Sequence, residues 1–223
     1  MKKIVLIVLS LFVAVSAFAE NEGTKKIRDC INVFDRFMAI PEESIPETLL
    51  RDAKAIAIIP NLIKVGFIIG GRHGSGVLAV RRKDGSWSNP LFITLTGGSL
   101  GWQIGAQSVD IILVFKTNRS VEDILEGKVT LGADASVAAG PVGRSAEAAT
   151  DIKLKSEIYA YSRSRGAFIG VSLEGAVLKV DIDANTQFYK KPGIRPRDIL
   201  YANIKVPDPI VNHFKRKLSE YTK

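Results

Sequence analysis

Apolar residues near the start of the chain recur with the period of an α-helix. Between residues 24 and 39 they follow spacings of four, three and four positions, at Ile27, Ile31, Phe34 and Met38. This pattern predicts an amphipathic helix, with Lys and Arg residues flanking the apolar stripe. Pro41 is expected to end the helix, because proline has no backbone N–H to donate.

After residue 54 the pattern changes to the short apolar runs and alternation that are typical of β-strands. Residues 55–59 form an apolar run that Pro60 is expected to end. Residues 77–82 and 87–94 flank Lys83-Asp-Gly-Ser86, which predicts a β-hairpin. Further strands are predicted at 102–107, 152–158, 167–173 and 177–182, and short helices at 46–54, 120–126 and 209–221. We therefore expect a single α+β domain built on an antiparallel β-sheet, with the amphipathic helix at its N-terminus and short helices flanking it.

The first 19 residues have the three parts of a secretory signal peptide. Lys2 and Lys3 precede an apolar stretch at 4–15, and Ala17-Phe-Ala19 matches an A-x-A cleavage site. We expect cleavage after Ala19 and a periplasmic or secreted protein. Cys30, the single cysteine, lacks the setting of a lipoprotein cleavage site and is predicted to lie on a helix face. The expected organisation is a signal peptide at 1–19, the amphipathic helix segment at 20–44, the main domain at 45–189 and a basic tail at 190–223.

Positive charge is concentrated toward the C-terminal end of the chain. The net charge is +8, from 31 Lys and Arg against 23 Asp and Glu. Residues 20–150 carry 15 of each sign, whereas residues 151–223 carry 14 basic and 8 acidic residues. This one-sided excess favours an acidic partner or surface, with ordinary solubility charge as the alternative. We find no nucleic-acid-binding motif, so nucleic acid is not the expected partner.

Two short motifs resemble chemical sites, and neither is complete. Gly97-Gly-Ser99-Leu-Gly101 has the G-x-S-x-G form of a hydrolase nucleophile elbow, and His213 follows it in the chain. The elbow requires a strand, a turn and then a helix, but β-type sequence follows here, so we expect a glycine turn and no enzyme. Asp181-Ile-Asp-Ala-Asn185 begins like an EF-hand loop, but Thr186 and Pro192 replace its required Gly and Glu. We expect a polar turn there, and neither a metal nor a cofactor.

Five blocks of the sequence, all of which contain glycine, stand out from the rest of the chain. They are Gly85-Ser-Trp87, Thr96-Gly-Gly-Ser-Leu-Gly-Trp-Gln-Ile-Gly-Ala-Gln107, Val129-Thr-Leu-Gly-Ala-Asp-Ala-Ser-Val-Ala-Ala-Gly-Pro-Val-Gly-Arg144, Tyr161-Ser-Arg-Ser-Arg-Gly166 and Gly170-Val-Ser-Leu-Glu-Gly175. Together these blocks resemble the SYLF domain family. The resemblance covers residues 45–189 and implies a binding protein rather than an enzyme. The family is known for lipid binding and, in eukaryotic cortical-actin members, for actin binding. An exported chain would not meet actin or phosphoinositides, so the resemblance implies a binding capacity rather than a named ligand.

The resemblance also implies that the N-terminal amphipathic segment contacts membrane. The residues assigned to lipid binding are therefore those of this segment and of the basic hairpin tip and tail: Lys25, Lys26, Arg28, Phe34, Arg163, Arg165, Lys215 and Lys217. We predict a non-catalytic protein whose partner is anionic phospholipid or a membrane surface. The alternative is a structural or protein-interaction module of the envelope, which binds another envelope protein.

Three local questions stay open at the level of sequence. The apolar face of the N-terminal helix fits either core packing or membrane contact. The segment from Gly140 to Arg144 fits either a structural turn, which we favour, or an anion-binding loop. Asp110 interrupts an apolar strand and needs a partner, for which Arg144 is the candidate.

Overall fold

The computed structural model describes residues 20–143, 155–164, 166–170, 172–202, 204–206 and 208–222. Within these ranges one sheet contains the strands β1 (Ala55–Val80), β2 (Leu91–Phe115), β3 (Lys128–Thr130), β4 (Val137–Ala139), β5 (Ile158–Ser164), β6 (Ala167–Phe168) and β7 (Val177–Val180). The α-helices are α1 (Glu22–Met38), α2 (Glu47–Arg51), α3 (Arg119–Leu125), α4 (Ile182–Tyr189), α5 (Pro196–Tyr201) and α6 (Ile210–Tyr221), with a 3-10 turn at Pro41–Glu43. This architecture confirms the predicted α+β fold.

The sheet is organised around β1 and β2, which form one long antiparallel ribbon. Pairing runs from Ala55↔Phe115 to Leu78↔Leu91, and the chain reverses in the predicted hairpin turn. The prediction that Pro60 ends the first strand is wrong. The ladder shifts register between Ile59 and Leu62, and this bulge accommodates a proline that cannot donate a ladder hydrogen bond.

The predicted glycine turn at 97–101 is also wrong, because β2 is continuous through it. Gly97 pairs with Arg72, and Gly98 pairs with Gly71. The ribbon bends instead at a second register shift, where the three residues 102–104 lie opposite Phe67 alone. A bulge of this kind increases local twist and bends a ribbon without ending it.

The two ends of β1 lie against each other because the ribbon folds over. A Cβ added to Gly76 would lie 2.0 Å from the carbonyl oxygen of Ile58 and 2.8 Å from the Cα of Ile59. Only glycine allows two backbones to approach this closely. The core therefore contains both ends of the ribbon, which are also the parts that pair with other strands.

The remaining strands extend the sheet from the outer edge of β2. Its first half pairs with β7, which in turn pairs with β3, and its second half pairs with β5. β6 pairs with β5 as an antiparallel hairpin. β5 covers Ile158–Ser164, whereas the sequence placed the strand before this turn at 152–158. β4 pairs with β5 in parallel, which the sequence did not predict.

Two helix boundaries differ from the sequence-based expectations. Ser120-Val-Glu-Asp123 has the form of a capping box, which predicts Ser120 as the N-cap of the helix at 120–126. This prediction is wrong, since Asn118 occupies the N-cap of α3 and Ser120 is buried in its first turn. The predicted polar turn at 181–185 is also wrong, because it forms the start of α4. Asp181 caps that helix by accepting a hydrogen bond from the N–H of Ala184 at 3.0 Å.

Helix α1 packs its apolar face onto the sheet and α6. Its buried residues are Thr24, Ile27, Cys30, Ile31, Val33, Phe34 and Phe37. The Cys30 thiol lies 3.4 Å from the carbonyl oxygen of Ile58, which confirms its predicted place on the helix face. Thr24 donates to Asp208 at 2.6 Å, and the rings of Phe34 and Tyr221 are 5.2 Å apart, so α1 and α6 run side by side in the same direction. In this structure the helix face is core.

Candidate binding surfaces

The outer face of α1 carries three of the residues assigned to lipid binding. Lys25 and Arg28 are exposed, and Lys26 is half-buried. Arg28 pairs with Glu20 at 2.7 Å. No ion pair joins Lys25 or Lys26 to a carboxylate among the described residues, so both ammonium groups are available to an anion.

Helix α6 contributes a second group of basic residues beside α1. The ammonium group of Lys217 lies 3.2 Å from Asp35 of α1, and the hydrogen bond to this carboxylate raises the pKa of Lys217. Lys215 is half-buried, and burial together with the nearby charge of Arg82 lowers its pKa. Arg216, which was not among the predicted residues, is the exposed cation of this group. We use the name helix surface for Lys25, Lys26, Arg28 and Arg216.

Phe34 and Arg163 do not present their side chains to a surface in this structure. Phe34 is 1% exposed, because its ring packs in the core against Tyr221. The guanidinium of Arg163 donates to the carbonyl oxygen of Arg36 and, at 2.8 Å, to the carboxylate of Glu43. Both were assigned to lipid binding, and their contacts are those of structural residues. Arg165 lies outside the described residues.

Asp110 of β2 forms its ion pair with a residue of α1. Its carboxylate accepts from the guanidinium of Arg36 at 2.8 Å and from the N–H of Asn61 at 3.0 Å. These bonds tie the end of α1 to the bulge of β1, so Asp110 is structural. The predicted partner, Arg144, lies outside the described residues.

A pocket lined by lysines lies in the basic C-terminal third, and the sequence-based assignment missed it. Lys190, Lys191 and Lys205 are all exposed and surround an open pocket of about 730 Å³. Its other described lining residues are Tyr189, Ile194, Ile204 and Val206, and none of the lining residues is acidic. We call the three lysines the lysine pocket. The adjacent pair Lys190-Lys191 within the basic excess was the signal that could have revealed it.

The lysine pocket adjoins the helix surface. Lys205 is three residues before Asp208, which accepts the hydrogen bond from Thr24. Three residues of chain span at most about 11 Å between Cα atoms. Lys205 of the lysine pocket therefore lies near the start of α1, although it is 180 positions (205 − 25) from Lys25 of the helix surface in the sequence.

The motifs weighed for catalysis and metal binding have other structural roles. Ser99 pairs with Gly70 within the ribbon and is not followed by a helix, so a nucleophile elbow does not form. Gly140 packs against Tyr161, whose ring would lie 2.1 Å from an added Cβ, and Arg144 at the other end of this segment lies outside the described residues. In the part of the chain that the structure describes, no group of three or more His, Cys, Asp or Glu side chains could hold a metal ion. Nor does any described helix have the length and apolar character needed to cross a membrane.

Comparison with known proteins supports the resemblance seen in the sequence. Residues 96–221 match the model of the Ysc84 family, described as Las17-binding protein actin regulator. The chain is 38% identical over 188 residues to Protein YSC84 of Saccharomyces cerevisiae, an alignment that covers 82% of this chain and 40% of that protein. It is 42% identical over 151 residues to the yeast LAS seventeen-binding protein 3, covering 66% and 33%. It is 37% identical over 168 residues to the human SH3 domain-containing YSC84-like protein 1, covering 75% and 48%.

The chain spans between a third and a half of the length of these relatives. The family is described by a binding activity, not by a catalysed reaction. Since the family model matches more than half of the chain, the protein belongs to the Ysc84 family, whose SYLF domain the sequence blocks resemble.

Proposed function

We propose that the protein binds an anionic membrane surface without catalysis, through the lysine pocket and the helix surface. The observation that carries this proposal is the pocket itself, which three exposed lysines line and whose described lining contains no carboxylate. Several lysines that line one pocket suit a phosphate-bearing headgroup, and each basic residue near an anionic bilayer contributes about 1 kcal/mol.

Helix α1 is expected to stay docked when the membrane is bound. Release would expose six large apolar or thiol side chains, Ile27, Cys30, Ile31, Val33, Phe34 and Phe37. At about 1.5–3 kcal/mol for each large side chain, release costs on the order of 10 kcal/mol. Electrostatic attraction of the four basic residues of the helix surface to an anionic membrane contributes about 4 kcal/mol at most. Attraction by charge alone is therefore too weak to pull the helix out, and the proposal takes its outer face as the binding face.

Vesicle co-sedimentation tests the proposal directly. We expect the protein to sediment with vesicles that contain phosphatidylglycerol, to bind phosphatidylcholine vesicles weakly, and to lose binding as salt rises. The triple variant Lys190→Glu, Lys191→Glu and Lys205→Glu should weaken binding strongly. A matched variant reverses Lys54, Lys83 and Lys128, which are also exposed, and should weaken it far less. If both triple variants lost vesicle binding equally, the loss would follow from net charge alone, and this would contradict a specific site.

A protein partner is the second candidate function. The family description and the name of a yeast relative both state binding to Las17, which is a protein. The same basic surfaces would then bind an acidic segment of a partner protein. Failure of the protein to bind either kind of vesicle at low salt would favour this function.

Export is a separate proposal that rests on the leader pattern at 1–19. Cleavage after Ala19 would give a mature chain that begins at Glu20, one residue before the N-cap of α1. Intact-mass measurement of the protein recovered from the producing cells is expected to show this start. A full-length mass would contradict the proposal and leave the membrane-binding proposal unaffected.

A further inference from the structure

The fold leaves a small apolar surface exposed on β1. Ile63 and Val65 are 53% and 51% exposed, and they project from the same face of β1 because they are two residues apart. Their partners across the ribbon are Ser108 and Ala106. We define the ribbon apex as residues 63–69 of β1 together with residues 99–108 of β2. These residues surround the second register shift, where the ribbon bends.

The composition of the ribbon fits the surface of an anionic bilayer. Neither residues 61–81 nor residues 91–109 contain an Asp or Glu, and Lys64, which lies between the two exposed residues, is only half-buried. The sequence at the second register shift includes Phe67 and Trp102, and aromatic residues are enriched where proteins meet the membrane interface. Exposed aliphatic residues, aromatic residues and a flanking lysine without any carboxylate are the combination expected of a segment that enters a headgroup layer.

We propose that the ribbon apex inserts into the interfacial layer of the membrane and supplies the apolar contact that the buried face of α1 cannot make. This inference rests on the proposed membrane binding and adds the segment that enters the bilayer. Insertion is shallow, because among the described residues β1 pairs with β2 alone and its outer backbone groups need water. Unpaired strand edges do not persist in the hydrocarbon region.

A pair of isoleucines provides a matched test. Ile63 at the apex and Ile182 at the first position of α4 are both 53% exposed. Ile63→Asp and Ile182→Asp therefore each replace an equally exposed isoleucine by the same negatively charged side chain. In co-sedimentation with phosphatidylglycerol-containing vesicles, Ile63→Asp should weaken binding about tenfold relative to Ile182→Asp. Ile63→Thr, which keeps the branched β-carbon of a strand residue, provides the comparison if Ile63→Asp fails to fold by circular dichroism.

Tryptophan fluorescence gives an independent readout of insertion. The chain has two tryptophans: Trp102 in the apex, and Trp87, which is 1% exposed and donates to Thr222. Vesicles should shift the emission to the blue in the wild type and not in Trp102→Phe. Lipids brominated near the headgroup should quench Trp102 more than lipids brominated near the chain ends.

The outcomes separate this inference from the proposed function. If the wild type binds no vesicle, membrane binding itself fails. If the wild type binds and the lysine-pocket variant weakens binding, but Ile63→Asp matches Ile182→Asp and Trp102 shows no shift, only the apex proposal is overturned. If the wild type is a dimer in light scattering and Ile63→Asp is a monomer, the apex joins two copies of the chain, which also overturns it.

Discussion

Phe34 lies between α1 and α6, where its ring is 1% exposed and contacts Tyr221 edge to face. Phe34→Ala should lower the free energy of unfolding by about 3–5 kcal/mol, because it removes a buried ring and leaves a cavity. Urea unfolding followed by circular dichroism measures this loss. Asn32→Ala, at an exposed position of the same helix, is the control and should change stability by less than about 0.5 kcal/mol. A Phe34→Ala variant of unchanged stability with weakened vesicle binding would make the ring a membrane anchor instead.

Single residues were harder to predict than the helix that carries them. The spacing of Ile27, Ile31 and Phe34 correctly gave an amphipathic helix, but core packing and membrane insertion produce the same spacing. The difference depends on Tyr221, which is 187 positions away and joins the pattern only in the folded chain. The partner of Asp110 was missed for the same reason, since Arg36 is 74 positions away.

The fold-over of β1 depends on a glycine that can be tested against another in the same strand. At Gly76 an added Cβ would lie 2.0 Å from the backbone oxygen of Ile58, whereas at Gly71 it would meet nothing within 4 Å. Gly76→Ala should therefore destabilise the protein by several kcal/mol, because one backbone must move. Gly71→Ala should be neutral, or stabilising by about 0.5 kcal/mol, since alanine restricts the unfolded chain. Thermal unfolding of both variants checks this contrast, and equal melting temperatures would contradict the close contact.

Cys30 reports whether α1 stays docked on the sheet. The thiol is fully buried, and desolvation raises its pKa, so it should react very slowly with a maleimide. We expect the same slow rate with phosphatidylglycerol-containing vesicles, because the apolar face remains in the core. An exposed thiol introduced by Asn32→Cys in a Cys30→Ala background should react rapidly and serves as the control. If vesicles accelerated the labelling of Cys30, the helix would be released on the membrane, which would contradict the prediction that α1 stays docked.

At the scale of elements, local signals gave the element types more reliably than their ends. The hairpin at Lys83–Ser86 and the last helix were predicted correctly, since turn residues and apolar periodicity act over a few positions. Pro60 and Gly97 were taken as strand ends, because each weakens a strand considered alone. In the fold, pairing with the neighbouring strand keeps both residues within strands. A bulge accommodates the proline, and the ladder continues through the glycine. Strand length is thus set by the partner strand, which is distant in sequence.

At the scale of the whole molecule, the charge imbalance pointed to the C-terminal third, but only folding connects it to α1. The hydrogen bond from Thr24 to Asp208 brings the segment that contains Lys205 to the start of that helix. The lysine pocket and the helix surface should therefore contact one flat membrane together. Attraction at exposed charges is screened over a Debye length of about 8 Å at physiological salt, so both contributions should shrink as salt rises.

Simultaneous contact has a measurable consequence. Reversal of Lys25 and Lys26 to Glu should weaken vesicle binding by itself, and reversal of the three pocket lysines should do so as well. The free-energy losses should add in the combined variant, because groups on one rigid face act on the same bound state. Two independent faces would behave differently, since either could still hold the protein to the vesicle. Binding that survives each reversal alone and disappears only when both are combined would therefore contradict a single membrane-facing surface.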